Sequence, residues 1–261
     1  MKLAAHHIVT AKMLSVSPAV IRMLQYSHAR KLQVDYASDI HLEKRGAKLP
    51  WFNGARHGDV LVLAGDIGYP NQPLYREFLS YASDNWNNVV VIAGNHEYKC
   101  VGNSRSWDAK REIDDMISDT CARWRNVHYL NCSSKNIGGV QILGATLWHT
   151  YPNTHKTCYT SATHYQHYVW LEKELRRVKT RVLVVTHHLP SYRLIDSRFA
   201  HYKSLHCWAS NSEKLIRAPV EAWICGHSHS RKREIINGIG VYVNADHKAS
   251  CPSLNLDTLE V

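Results

Sequence analysis

The sequence lacks any apolar run longer than a β-strand requires, so no transmembrane helix is expected and no membrane partner is indicated. It also lacks a Cys-x-x-Cys pair, and its seven cysteines are an odd number. Neither a disulfide framework nor a cysteine-based zinc knuckle is therefore expected. That usage fits a reducing compartment, and the cytoplasm is the expected location. Internal repeats and low-complexity linkers are missing too. Acidic residues are absent from the first 34 positions, which carry Lys2, Lys12, Arg22, Arg30 and Lys31. Half of the net charge of +10 thus belongs to the leader, and the modest remainder does not by itself indicate nucleic acid. Residues 1–30 read as a basic, disordered or targeting extension. A transit peptide is compatible with the missing acids, but the stretch is poor in Arg and Ser, which favours a plain extension or a later start at Met13 or Met23.

What is present is enough apolar residue, 44%, to bury a core, in a chain of 261 residues. Val89-Val90-Val91-Ile92-Ala93 reads as a strand buried on both faces, as in a parallel sheet. The runs from Leu32 to Ala37, Val60 to Ala64, Arg181 to Val185 and Glu221 to Cys225 read the same way. Helical periodicity follows Pro73, spans about Trp107 to Trp124, and runs from about Thr163 to Val178 with Tyr165, Tyr168, Leu171 and Leu175 on one side. Gly138-Gly139 and Asn237-Gly238 mark hairpins, and 253–261 reads as a last edge strand. Alternating strands and helices followed by hairpins predict one α/β domain over 31–261.

Each of the five buried strands ends in potential metal ligands. They are Asp39 and His41, then Asp66, then Asn95 and His96, then His187, then His227 and His229. Asp39 and His41 are two apart, a spacing that in extended backbone points both side chains to one side. Gly94 reads as the residue that lets the chain turn before Asn95. Carboxylate, imidazole and amide donors suit Mn, Fe, Zn, Ni or Co better than Ca or a thiolate-bound metal. Seven ligating groups, counted without His96, are too many for one tetrahedral ion and right for two. Two such ions, about 3.5–4 Å apart, clamp an in-line displacement at phosphorus. Asp66, alone after its strand, is the candidate bridge.

The order Asp-x-His, Gly-Asp, Gly-Asn-His-Glu, a lone strand-end His, then Gly-His-x-His resembles the calcineurin-like metallophosphoesterases, from about Leu32 to Asn244. Tyr36 to Glu43, Gly144 to Trp148 and Thr186 to Ser191 look like a microbial and viral branch of unassigned phosphohydrolases. The resemblance implies a four-layer α/β/β/α sandwich of two mixed sheets flanked by helices. It implies two divalent metal ions, manganese among the candidates, with Asp39, His41 and His229 on one, Asn95, His187 and His227 on the other, and Asp66 between. It further implies hydrolysis of a phosphomonoester or phosphodiester by a metal-bridging hydroxide, with His96 beside the leaving group as acid or charge stabiliser. Protein Ser/Thr phosphatases are disfavoured, because Gly65-Asp66-Ile67-Gly68-Tyr69 lacks their Asp-Arg-Gly and Tyr98 follows Gly-Asn-His-Glu. The competing readings are a nuclease-type phosphodiesterase and a non-catalytic scaffold on the same fold.

Most of the 18 histidines are read as surface or packing residues, including His6, His7, His57, His128 and His206. His149, His155 and His164 are read as a mobile polar loop in preference to a lining of the substrate cleft, and His188 and Trp148 as either cleft or packing residues. Glu97 reads as a ligand-orienting group or a solvated acid. Arg176-Arg177 is expected on a solvated face, while Arg231-Lys232-Arg233 lies close enough to Gly-His-x-His to meet an anionic substrate.

Overall fold

A strand that is apolar at every position needs cover on both faces. The strands β2 (Val60–Ala64), buried throughout, and β3 (Asn88–Ile92), buried from Val89 on, find that cover between helices on one side and a second sheet on the other. The computed structural model describes residues 31–49, 58–100, 107–150, 159–199, 201–202, 204–245 and 251–257. The readings of residues 1–30, His57 and His155 fall outside them.

The first sheet adds β1 (Lys31–Ala37), β4 (Val127–Tyr129) and β11 (Ser253–Asp257), in the order β11-β1-β2-β3-β4. β1 to β4 run parallel, and β11 closes the edge antiparallel, with Lys31 opposite Asp257. The second sheet comprises β5 (Ser133–Ile137), β6 (Val140–Ala145), β7 (Arg181–Thr186), β8 (Val220–Cys225), β9 (Arg231–Ile236) and β10 (Ile239–Asn244). Its order is β5-β6-β7-β8-β10-β9, with β5 and β9 as antiparallel edges. Asn237 and Gly238 both have positive φ, 53° and 81°, as the two-residue turn between β9 and β10 demands.

Alternate side chains sort the core into layers. Val60, Val62, Val90 and Ile92 face Ile142, Leu183, Val185 and Ile224 of the other sheet. Leu61, Leu63, Val89 and Val91 face Tyr75, Phe78 and Leu79 of α1 (Pro73–Asn85) and Ile113 and Ile117 of α2 (Trp107–Cys121). Val182, Val184 and Trp223 face Leu171 and Leu175 of α3 (Tyr159–Arg177). The result is two mixed sheets flanked by helices. No helix among the described residues is long and apolar enough to cross a membrane.

Two elements depart from the sequence reading. α2 stops at Cys121, short of Trp124. α3 starts at Tyr159, and its inner face is His164, His167, Leu171 and Leu175, while Tyr165 is 51% exposed. Histidine scores as polar, so a hydrophobic stripe does not find it. Both rings dock on one residue: His164 Nδ1 lies 2.7 Å from the Leu147 carbonyl, and His167 Nδ1 accepts from the Leu147 N–H at 3.1 Å. A buried polar ring is tolerable because its hydrogen bonds are made.

Candidate metal centre

The strands β1, β2, β3, β7 and β8 stop at one end of the two sheets, and the residues just past them converge. Asp39, His41, Asp66, His227 and His229 all have positive φ, between 48° and 69°. Asp39 and His41 therefore reach one side through left-handed turns, not through the extended backbone that their spacing suggested. Such residues persist only where the surroundings over-determine them. Here the neighbouring loop does so: the N–H groups of Asp39, His41 and Leu42 donate to the carbonyls of Gly65, Asp66 and Ile67 at 2.8–3.0 Å.

Ligand atoms of Asp39, His41 and His229 lie within 4.8 Å of one another, and so do those of Asp66, His187 and His227. Asn95 joins the second group, its Oδ1 3.1 Å from His187 Nε2. All seven ligand candidates thus gather at one place. Asp66 stands between the groups: its Oδ2 is 3.9 Å from His41 Nε2 and 3.4 Å from His187 Nε2, while Oδ1 accepts the His96 N–H at 2.8 Å. Asp39 Oδ2 accepts from Ser38 Oγ at 2.6 Å and from the His227 N–H at 2.8 Å, and its Oδ1 is 3.5 Å from His229 Nε2. Asp39, His41, Asp66 and His187 form a buried floor, and Asn95, His96 and His229 form a more open mouth.

Hydrogen bonds behind the imidazoles fix which nitrogen faces inward. His187 Nδ1 lies 2.8 Å from the Ala64 carbonyl and His41 Nδ1 lies 2.7 Å from Glu43 Oε1, so each presents Nε2 to the site. His227 Nε2 lies 3.0 Å from the Cys207 carbonyl, which leaves Nδ1. Imidazole nitrogens and carboxylate oxygens consequently converge, a donor set that fits divalent cations. Burial alone would raise the Asp66 carboxyl and depress the His187 imidazole. Their mutual attraction reverses both, holding Asp66 well below the usual range and lifting His187 to about 9. Burial, joined by repulsion from His187, pushes His227 down to about 3.

Two carboxylates organise the site from behind. Glu97 is fully buried, so it is not a solvated acid. It accepts three backbone N–H groups, from Asp66 at 3.1 Å, Ile67 at 2.8 Å and Gly94 at 2.8 Å. It thereby ties the Asp66 loop to the Asn95 loop. Burial and the Asp66 charge push Glu97 up to about 7, against those donors. Glu43, which the sequence reading did not single out, touches both His41 Nδ1 and His96 Nδ1, the latter at 3.0 Å. Despite burial these bonds hold it at about 2. Its signal was there: an acid two residues past His41, on the same turn.

His188 is buried, stacked on Trp148 and centred 4.2 Å from the His227 ring. Its Nε2 lies 3.4 Å from His149 Nδ1, so these two histidines wall the site from the second sheet. Arg176 and Arg177 make surface ion pairs with Glu172 and Glu174. In the other basic run, Lys232 Nζ lies on the Arg193 and Ile195 carbonyls and Arg233 covers the Tyr242 ring.

A model of a family described as calcineurin-like phosphoesterase matches residues 32–231. Uncharacterized protein L509 of Acanthamoeba polyphaga mimivirus is 22% identical over 252 residues, covering 80% of this chain and 89% of its own. Among solved structures, the phosphopantetheinyl hydrolase of Mycobacterium tuberculosis superposes with a TM-score of 0.60 at 14% identity, over 85% of this chain and 92% of that one. A dimetal phosphatase from Danio rerio gives 0.51 at 14% identity, over 88% and 94%. At these identities the two structures speak to the fold.

Proposed function

The chain belongs to the calcineurin-like phosphoesterase family, and from that premise we propose that it hydrolyses a phosphomonoester or phosphodiester with two divalent cations. Asp39, His41 and His229 would hold one cation, Asn95, His187 and His227 the other, and Asp66 both. The observation that carries this reading is the position of Asp66 Oδ2, which faces a histidine of each group. When bound, the cations supply Lewis-acid activation of water and neutralise charge on the phosphoryl oxygens.

The chain's own residues do the rest. Glu97 keeps two ligand-bearing loops at a fixed distance. Glu43 and the Ala64 and Cys207 carbonyls engage the outer nitrogens, which turns the inner nitrogens of His41, His187 and His227 toward the cations. His96, at the mouth, assists the leaving group, help of a kind worth roughly 10²–10⁴ in rate. The nuclease reading gains nothing from the strand after His229, whose Lys232 and Arg233 are engaged within the fold. A scaffold would tolerate loss of a candidate ligand, and the close approach of all seven candidates supports the catalytic reading over it.

The test is a panel of aryl and alkyl mono- and diesters run with Mn, Ni, Co, Zn and Fe. Turnover that chelator abolishes and that Asp66→Asn lacks is expected. No turnover of any ester with any of these metals would overturn the proposal.

A further inference from the structure

The outward end of His96 carries a feature that the ligand set does not explain. A neutral imidazole has one N–H and one lone pair. The Glu43 carboxylate can only accept, and it lies 3.0 Å from His96 Nδ1, so the His96 proton sits there. Nε2 is then an acceptor, and the Lys99 ammonium lies 2.8 Å from it. The proton presented at His96 Nε2 therefore belongs to Lys99. Its placement is firm at the base, because Lys99 ends the short 3-10 turn Glu97–Lys99, whose first side chain is tied down by three backbone N–H groups.

We propose that the Lys99 ammonium, held on His96 Nε2, is the group that meets the leaving-group oxygen of the substrate. This rests on the hydrolase reading. As the phosphorus–oxygen bond breaks, its electron pair stays on the departing oxygen, which takes a proton from Lys99 Nζ. The neutral amine regains a proton from water, to which Lys99 is exposed. An alkoxide is a far stronger base than a lysine amine, so it gains from this transfer. A p-nitrophenolate is a weaker base than the amine and gains little. The help given above to His96 is then exerted through Lys99, with His96 as the positioning residue and Lys99 as the catalytic one.

The test compares an alkyl and a p-nitrophenyl ester carrying the same phosphoryl group. Lys99→Met is expected to lower kcat on the alkyl ester roughly 10²–10⁴-fold, the range of general acid help. The loss on the p-nitrophenyl ester is expected to be at least about tenfold smaller, with bound metal unchanged. His96→Ala with Lys99→Met should lose no more than His96→Ala alone, because residues acting as a unit are not additive. Nitrogen NMR of the full chain, assigned by His96→Ala, should show the His96 proton on Nδ1 and an Nε2 signal that moves in Lys99→Met. Equal losses on both esters, no loss, or a proton on Nε2 would overturn the inference alone. A wild-type chain that turns over neither ester would overturn the hydrolase reading and this inference with it.

Discussion

A methyl group at position 94 would overlap Asp66 Oδ1 and lie 2.5 Å from the Asp66 nitrogen and 2.8 Å from His187 Cε1. Gly94 has no positive φ, so the sharp turn its sequence suggested is not what requires glycine there. The requirement is space, since loops from both sheets press together at this point. Gly94→Ala should therefore cost about 1–3 kcal/mol, as overpacking does, and weaken metal binding along with it. Urea unfolding of wild type and variant, with metal titration of each, checks both. Contact demands of this kind are not written in one stretch of chain, whereas the candidate ligands that converge here were, because each follows a run of apolar residues that ends abruptly. Glu97 shows the same limit. Its neighbours in sequence say nothing of the three N–H groups, from Asp66, Ile67 and Gly94, that surround it.

At the scale of elements, α1 and α2 were legible from apolar spacing, but what anchors α2 is partly a cation. Lys110 is buried, with its ammonium 5.1 Å from the Tyr98 ring centre, 5.0 Å from Trp148 and 5.4 Å from Tyr159. The ring faces and the Asp114 charge favour the ammonium. Burial nevertheless pushes it from 10.5 down to about 8. Between those values the unfolded chain holds a proton that the folded chain has shed, so this lysine makes the fold more stable as pH rises through that window. Buried Tyr and Cys groups with raised values pull the other way. The informative quantity is thus the stability of wild type minus that of Lys110→Met, which should increase between pH 8 and pH 10 in denaturant titrations. A flat or falling difference would mean that the rings keep Lys110 charged.

For the whole molecule, the decisive fact is that the candidate ligands come from two sheets. Asp39, His41, Asp66 and Asn95 follow strands of the first, and His187, His227 and His229 follow strands of the second. The apolar layer between the sheets holds them together without any cation. The site end is different, because Asp39 and Asp66 are both buried there, and repulsion from Asp66 adds to burial in raising the Asp39 carboxyl. Cations bound by both sheets would relieve that repulsion and join the layers, and anything that binds only the folded state stabilises it by mass action. At a free metal concentration a hundredfold above Kd the gain is about 2.7 kcal/mol per site. With each kcal/mol worth roughly 2–4 °C in a chain of this size, chelation should lower Tm by about 5–10 °C per site emptied. Asp66→Asn, which keeps the volume and removes the charge that both groups face, should start nearer the chelated value and respond little to added metal. A wild-type Tm indifferent to both chelator and added divalent metal would mean that the two sheets share no cation, whatever the ester panel shows.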